Sequence, residues 1–406
     1  MSTRSASLPS VGLLLALIQL FFTLTWTVYA IYLPKLAAQV GISAGAVILI
    51  LMLDQAIFTL SDFATGIAAD KVSRTIGRIG RIVVSVTVVS CLAFVALPLV
   101  AGDNPVSLAA FLALTVIWTV TSSALRAPPL MLLGKYAAKP AIPLLSSLAM
   151  LGYGIAGAAA PYLAITLREV DPRWPFIIAS VAVLLATLSL SHVERTLVGQ
   201  AAQAGPPPQS AQPKNDVAPL VFAIGMVVLA LGYQLHFAVN TAPLFRKFSD
   251  SIDLFMPVFW IGFNIAMFPA TLLVKRWGGF AVMGLFGVIG ALAIAAAATA
   301  TALNMLVAAQ LAAGASWGCI LMSAFCAAFD AAKRDTAGRW VGILFSALAF
   351  ATFTRMAAIA TGLQRDPSWT GWLQWGPTIC WLIAGLLLLY VGFVRMRRWM
   401  ADAAPV

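Results

Sequence analysis

Charge is what this sequence has least of. Only 10% of its 406 residues are Asp, Glu, Lys or Arg, whereas 61% are hydrophobic, and the mean hydropathy is +0.95. A soluble protein carries charge on about 25% of its residues. The deficit therefore excludes a soluble globular protein and indicates an integral membrane protein.

Histidine and cysteine are also scarce, which limits the chemistry that the chain can carry. The two histidines, His192 and His236, lie far apart, so the sequence offers no cluster of histidines and carboxylates typical of a membrane enzyme. It has no Gly-x-x-x-x-Gly-Lys-(Ser/Thr) loop either, so ATP is not the expected energy source. We expect neither a metal nor a cofactor, because the four cysteines lie in apolar segments without zinc-ligand spacing: Cys91, Cys319, Cys326 and Cys380.

The net charge of +11 does not indicate a nucleic-acid partner. The Lys and Arg residues are spread over short loops between apolar segments, and most of them fall on one side if both termini are cytoplasmic. This is the pattern of the positive-inside rule. The expected partner is a lipid bilayer, in an inner (cell) membrane with both termini in the cytoplasm.

Twelve apolar segments are long enough to cross a bilayer, which takes about 20 residues. They form two sets of six, separated by a stretch rich in Pro, Gln and Ala that predicts a flexible cytoplasmic linker. The predicted organisation is an N-terminal six-helix bundle (1–191), a linker (192–217) and a C-terminal six-helix bundle (218–406). The predicted spans are 11–38, 44–69, 82–101, 106–132, 143–167, 175–191, 218–243, 253–274, 279–300, 303–330, 339–363 and 372–394.

The loop between the second and third spans carries a specific pattern. Gly66 is followed by Asp70 and Lys71 at the spacing Gly-x-x-x-Asp-Lys, and a further basic residue, Arg74, comes next. This loop resembles the signature loop of the major facilitator superfamily, with Ser73 where the family has Gly.

The resemblance implies a fold and a mechanism. The fold would be all-α, with twelve membrane helices in two six-helix, pseudo-symmetric bundles around a central cavity. The mechanism would be secondary transport by alternating access. The Asp70 carboxylate is then expected to meet the positive N-terminus of the eleventh span, near Arg339, when the cytoplasmic side is closed.

The fifth span holds a second motif, which contains Gly157 and Pro161. It is similar to the family's antiporter motif, Gly-x-x-x-Gly-Pro-x-x-Gly, with alanine at positions 156, 160 and 164. Small residues allow helices to approach closely, and the proline bends the helix path. In relatives this motif marks exporters, so export or antiport is the preferred direction.

Four charged residues inside the spans are candidates for the transport pathway, because an unpaired charge there costs at least about 2.5–3.5 kcal/mol. Asp54 and Arg355 each lie 16 residues from the cytoplasmic end of their span, and so at the same depth. The second and eleventh spans pack against each other in the family that this chain resembles, and the resemblance therefore implies a bridge between the two halves that takes part in gating. Asp62 and Arg126 each lie nine residues before a cytoplasmic lysine. This second predicted pair is either a structural ion pair or a proton-coupling site.

Other polar and aromatic residues form stripes on the spans that line the central cavity in the family. These stripes are either walls of a binding site or ordinary helix contacts. The histidine among them is either a proton carrier or a hydrogen-bonded core residue. The residues are Gln19, Trp26, Trp118, His236, Asn240 and Trp317.

The predicted function is secondary active transport of a small organic molecule by a monomer, coupled to protons. One arginine inside the membrane in each half favours an anionic or zwitterionic substrate. An importer or an uncoupled facilitator of an organic anion is an alternative. A non-transporting scaffold or a membrane enzyme is the alternative from another class.

Overall fold

The computed structural model describes residues 8–75, 79–102, 105–204, 218–332 and 334–402. These residues are almost entirely helical, and none of them forms a β-strand. The all-α class predicted from the sequence is thereby confirmed.

The described residues of the N-terminal half, 8–204, contain eight α-helices. They are α1 (Leu8–Gln39), α2 (Val47–Thr75), α3 (Ile79–Val100), α4 (Pro105–Ser122), α5 (Ala127–Tyr136), α6 (Ile142–Thr166), α7 (Arg173–Leu188) and α8 (Leu190–Ala204).

The described residues of the C-terminal half, 218–402, contain seven more α-helices. They are α9 (Ala218–Tyr233), α10 (Thr241–Arg246), α11 (Ile252–Phe255), α12 (Pro257–Ala298), α13 (Leu303–Ala331), α14 (Ala337–Ala360) and α15 (Thr370–Asp402).

Eleven helical segments within the described residues are long and apolar enough to cross a membrane. One of them, Ile252–Ala298, has 47 residues, or about 70 Å of helix at 1.5 Å per residue, more than twice the roughly 30 Å bilayer core. Its backbone is broken at Gly278, where φ is 81° and ψ is 165°. The predicted eighth and ninth spans lie on the two arms on either side of this glycine.

The fourth predicted span is interrupted at Arg126. Helix α4 ends at Ser122, a single 3₁₀ turn covers Ser123–Leu125, and α5 begins at Ala127. Pro128 and Pro129 follow directly, and neither has an N–H to donate to a carbonyl four residues earlier. The carbonyl left without such a donor by Pro129 is that of Leu125, and it accepts from Gln19 Nε2 on α1 at 3.4 Å.

The predicted linker differs from the structure over its first part. Residues 192–204 belong to α8 rather than to a flexible chain. Val193 and Leu197 are fully buried, and Glu194 accepts from the backbone N–H groups of Ile79 and Gly80 at 3.0 and 2.8 Å. An apolar face and a carboxylate on the N-terminus of α3 thus stabilise this helix. The remainder of the predicted linker, 205–217, lies outside the described residues.

The two halves contact each other mainly along two helix pairs, α2 with α14 and α6 with α12. Glycines allow the close approach in both pairs. A Cβ on Gly66 of α2 would overlap the Gly338 carbonyl of α14, and a Cβ on Gly157 of α6 would overlap the Trp260 ring of α12. Asp62, Asp70 and Arg126 lie along the first of these seams.

Candidate functional site

Asp70, at the end of α2, holds the N-terminus of α14. Its two carboxylate oxygens accept from the backbone N–H groups of Gly338 and Arg339, both at 2.8 Å. A carboxylate at a helix N-terminus satisfies donors that have no partner within the helix and interacts favourably with the helix dipole. Asp70 therefore fastens the two halves together at the motif end of the bundle, and it does so through the backbone rather than through the Arg339 side chain.

The rest of the motif adds bonds at the same end. Arg74 donates to the Asp335 backbone carbonyl at 2.7 Å, and its Nε lies 3.9 Å from the Asp335 carboxylate. Ser73 stands where the family has Gly, and its hydroxyl accepts from Lys135 Nζ at 2.6 Å. This departure from the family pattern therefore ties α2 to α5. Lys71 is exposed on the same surface.

Asp62 and Arg126 form the pair that their equal depth predicts. Arg126 Nη1 lies 3.1 Å from Asp62 Oδ2, and the two side chains are 12% and 0% exposed. The guanidinium group also lies over two aromatic rings, 4.6 Å from the centroid of Phe58 and 5.0 Å from that of Phe345. Phe345 belongs to α14, so this pair from the N-terminal half directly contacts the C-terminal half.

Asp54 lies in a different environment. It is fully buried, with Tyr29 donating to Oδ2 at 2.8 Å and Thr119 donating to Oδ1 at 2.7 Å. The rings of Trp26 and Trp118 stack on each other at 5.8 Å, and Tyr29 packs against Trp118 at 4.5 Å. The hydrogen-bonding partners of Asp54, and the rings that pack around Tyr29, thus come from the N-terminal half.

The bridge predicted between Asp54 and Arg355 is absent from the structure. The ion pairs of the described residues are Arg74–Asp335 and Arg126–Asp62. Two neutral hydroxyl groups already satisfy Asp54 within its own half. The Nε atom of Arg355 is buried without a hydrogen-bond partner.

Two tyrosines connect the halves near Arg355. The hydroxyl groups of Tyr153 on α6 and Tyr233 on α9 interact with each other. Both rings lie against Trp260, with centroid distances of 5.3 and 6.4 Å. Tyr233 also interacts electrostatically with Arg355, and it stacks on Trp317 at 4.5 Å with an interplanar angle of 5°.

His236 lies in a seven-residue π-helical segment, Gln234–Asn240, between α9 and α10. π-helical turns are rare and occur often at functional sites. The His236 ring is buried and lies 3.1 Å from Gln310 Oε1. Gln310 Nε2 in turn donates to Thr241 at 3.2 Å, and Asn240 donates to the Leu373 carbonyl at 2.6 Å. These bonds fit the reading of His236 as a hydrogen-bonded core residue.

The remaining predicted residues are distributed over several contacts. Gln19 donates to the Leu125 carbonyl, where the helix is interrupted beside Arg126. Trp317 is fully buried, and its indole Nε1 has no hydrogen-bond partner. Gly157 packs on Trp260, and Pro161 lies within α6. The predicted residues therefore do not form one cluster.

Four residues in these contacts were missed by the sequence analysis: Tyr29, Thr119, Tyr153 and Tyr233. The sequence did contain a signal for two of them. Tyr29 is three residues after Trp26, and Tyr233 is three residues before His236, so each shares a helix face with a residue already selected. Within the described residues, no group of three or more His, Cys, Asp and Glu side chains is arranged to hold a metal ion.

Comparison with known proteins identifies the family. The family model of the Major Facilitator Superfamily matches residues 15–354. No curated protein matches the chain significantly.

Solved structures share the fold at low sequence identity. The human organic anion transporter MFSD10 (TETRAN) aligns with a TM-score of 0.68 and 13% identity over 96% of this chain and 99% of its own. A bacterial homologue of the iron transporter ferroportin, in an outward-facing state, aligns with a TM-score of 0.71 and 11% identity, over 94% of this chain and 99% of its own. The proton:xylose symporter XylE aligns with a TM-score of 0.64 and 14% identity, over 96% of this chain and 95% of its own.

These neighbours are transporters rather than enzymes, and the family match covers most of the chain. The chain belongs to the Major Facilitator Superfamily and is a multi-pass membrane transporter of that family.

Proposed function

We propose that this protein is a proton-coupled secondary transporter that moves a small organic molecule across the cell (inner) membrane by alternating access. The two arms of α12, on either side of Gly278, would each cross the bilayer and raise the eleven apolar segments to twelve crossings. An even number of crossings leaves both termini on one side, and the Lys and Arg distribution favours the cytoplasm. The chain would work as a monomer of two six-helix halves.

The observation that carries the coupling proposal is the position of the Asp62–Arg126 pair. It is a buried ion pair at the seam between the halves, and its guanidinium group contacts Phe345 of the opposite half. Rocking of the halves would remove that ring and change the environment of the pair. A carboxylate whose desolvation and charged partner change together also changes its affinity for a proton. Asp62 is therefore the proposed proton carrier.

Asp54 is the weaker candidate for the same task. Its partners, Tyr29 and Thr119, belong to its own half. Movement of one half against the other would leave these bonds intact, so the proton affinity of Asp54 would not follow the transport cycle. We assign Asp54 to the packing of α1, α2 and α4.

Export is the direction that we favour. It rests on the motif in α6, where glycines allow close contact with α12: a Cβ on Gly154 would overlap Asn264, and one on Gly157 would overlap Trp260. The resemblance to an organic anion transporter is at the level of the fold. It agrees with an anionic or zwitterionic substrate without adding to the argument from the arginines.

Proton flux across proteoliposomes tests the proposal. Vesicles that contain the purified protein and an internal pH dye are exposed in turn to organic anions, zwitterions and neutral compounds. We expect at least one compound to move together with a proton flux that Asp62→Asn abolishes. A compound that moves without protons would indicate the uncoupled facilitator, and the relative direction of compound and protons distinguishes antiport from symport.

Asp70→Asn should open the motif end of the bundle more often. Asparagine keeps one neutral acceptor for α14, and its amide nitrogen cannot accept from the second backbone N–H group. A loss of about 1 kcal/mol shifts a two-state equilibrium about fivefold. Ser346 lies in this seam, where its hydroxyl donates to the Thr59 carbonyl at 2.7 Å. A Ser346→Cys probe, in a background without the native cysteines, should therefore react about fivefold faster with a cytoplasmic thiol reagent.

The matched control for this measurement is Asp366→Asn, which changes an exposed carboxylate outside the seam. It should leave the labelling rate of the Ser346→Cys probe unchanged. Equal or slower labelling in Asp70→Asn would show that Asp70 does not hold this side closed.

A further inference from the structure

Two arginines lie well inside the predicted spans, and Arg355 differs from Arg126 in its partners. Arg126 is paired with Asp62, at 3.1 Å. Arg355 forms no ion pair within the described residues, and its Nε is buried without a hydrogen-bond partner. A charged group inside the membrane that has a buried donor without a partner is costly unless the missing partner arrives from outside.

The groups around Arg355 are aromatic and hydroxylic rather than acidic. Gln234, the residue after Tyr233, donates to Thr352 on α14 at 2.8 Å. Thr352 lies about one turn before Arg355, so this bond holds the Arg355 region of α14 beside Tyr233. The ring of Tyr233 and the ring of Tyr153 from the other half both lie against Trp260, at centroid distances of 6.4 and 5.3 Å, and Tyr233 also interacts electrostatically with Arg355. Two phenol hydroxyl groups and one guanidinium group thus lie together, and all three can donate hydrogen bonds.

The walls of this region are flat rings. Trp260 lies against both tyrosines, edge to face, and Phe237 stacks on Tyr233 at 5.7 Å. Aromatic rings pair favourably with one another in stacked and edge-to-face arrangements. Tyr153 and Arg355 are partly exposed as whole residues, whereas Tyr233 is buried.

We propose that Arg355, Tyr153 and Tyr233 form the binding site for the carboxylate of an aromatic organic anion, with Trp260 as a wall for its ring. Arginine presents planar donors that match a carboxylate, and the tyrosine hydroxyl groups supply further bonds. Because Tyr153 belongs to one half and Tyr233 and Arg355 to the other, one bound anion contacts both halves. This inference rests on the proposed transport function and names its substrate class.

Equilibrium binding of radiolabelled 2-naphthoate to the purified full-length protein tests the site. The measurement is made at one pH and without a gradient, so it does not depend on transport. 2-Naphthamide has the same shape without the charge, and the saturated decahydronaphthalene carboxylate has the charge without the aromatic ring. We expect 2-naphthoate to bind more tightly than either.

Variants then locate the binding. Arg355→Gln should weaken 2-naphthoate binding about tenfold or more, because it removes the charged partner of the carboxylate. Arg355→Lys, which keeps the charge but not the planar donors, should lose less. Tyr233→Phe and Tyr153→Phe should each weaken binding several-fold. Arg365→Gln, at an exposed arginine, is the matched control and should bind as the unaltered protein does.

The outcomes separate this inference from the proposed function. Absence of 2-naphthoate binding, equal binding of 2-naphthamide, or unaltered binding in well-folded Arg355→Gln would each overturn the site. Asp62→Asn should still bind 2-naphthoate. If binding depends on Arg355 but no compound moves protons, the result supports the binding site and contradicts the proton coupling. If another compound moves together with protons while 2-naphthoate does not bind, the result supports the proton coupling and contradicts the binding site.

Discussion

Arg126→Ala is expected to destabilise the protein by about 3–5 kcal/mol, the usual cost of leaving a buried charge without its partner. Asp62 is fully buried, and Arg126 is its ion-pair partner in the described part of the chain. The variant also loses the two cation–π contacts to Phe58 and Phe345. We expect a large fall in the yield of folded protein and in the apparent melting temperature, measured on protein purified in detergent.

The second change that tests this cause is Asp62→Asn in the same chain. It removes the carboxylate that Arg126→Ala leaves unpaired, so the double variant should recover most of the lost stability. Arg126→Lys is the matched control, because it keeps the charge and should retain a larger part of the stability than alanine does. Arg126→Ala with an unchanged melting temperature would mean that the pair is hydrated or separated in the membrane.

Spacing in the sequence predicted how deep the charged residues lie in the membrane, but not which way each side chain faces around its helix. Equal distance from the cytoplasmic ends predicted the Asp62–Arg126 pair, which the structure contains. The same reasoning failed for Asp54 and Arg355, because depth along a helix does not fix which side a residue faces. Asp54 and Asp62 are eight residues apart, so they point about 80° apart around α2 at 3.6 residues per turn. One faces its own half and the other faces the seam.

The partners of Asp54 illustrate a second limit. Tyr29 and Thr119 donate to it, yet nothing in the sequence sets them apart from the hydroxyl residues that bond a carbonyl of their own helix. The hydroxyl of Thr119 also lies 2.9 Å from the carbonyl of Thr115 on its own helix, and Thr115 in turn donates to the Phe111 carbonyl. Whether such a hydroxyl also reaches a carboxylate depends on which neighbouring helix packs alongside, and composition and spacing do not determine that.

Helix α8 shows what the composition of the linker concealed. The run of Pro, Gln and Ala suggested a flexible connection from 192 onward. The apolar residues Val193 and Leu197 nevertheless share one face, and that face is buried. The spacing was readable from the sequence, but the acceptor role of Glu194 at the start of α3 needed the tertiary structure.

Asp62→Asn is expected to abolish accumulation of substrate driven by a pH gradient. With one proton per substrate, a gradient of one pH unit supports about tenfold accumulation, because one unit corresponds to 1.36 kcal/mol. The asparagine cannot carry a proton through the cycle, so the concentration ratio should fall from about ten to one. Asp62→Asn also leaves Arg126 without its carboxylate, so we expect a loss of stability as well. Exchange of labelled for unlabelled substrate should persist in the protein that folds, because Arg355, Tyr153 and Tyr233 are unchanged.

Asp54→Asn serves as the control for this prediction, since it changes the other buried carboxylate of the same helix. Asparagine can still accept a hydrogen bond from Tyr29 or Thr119, although its amide nitrogen cannot accept from the second hydroxyl. We therefore expect some loss of stability but preserved coupling, and the double variant should behave as Asp62→Asn alone does. Gradient-driven accumulation that survives in Asp62→Asn but disappears in Asp54→Asn would reverse the two roles. Accumulation that survives in the double variant would leave His236, held by Gln310 in the π-helical segment, as the ionisable residue to test next.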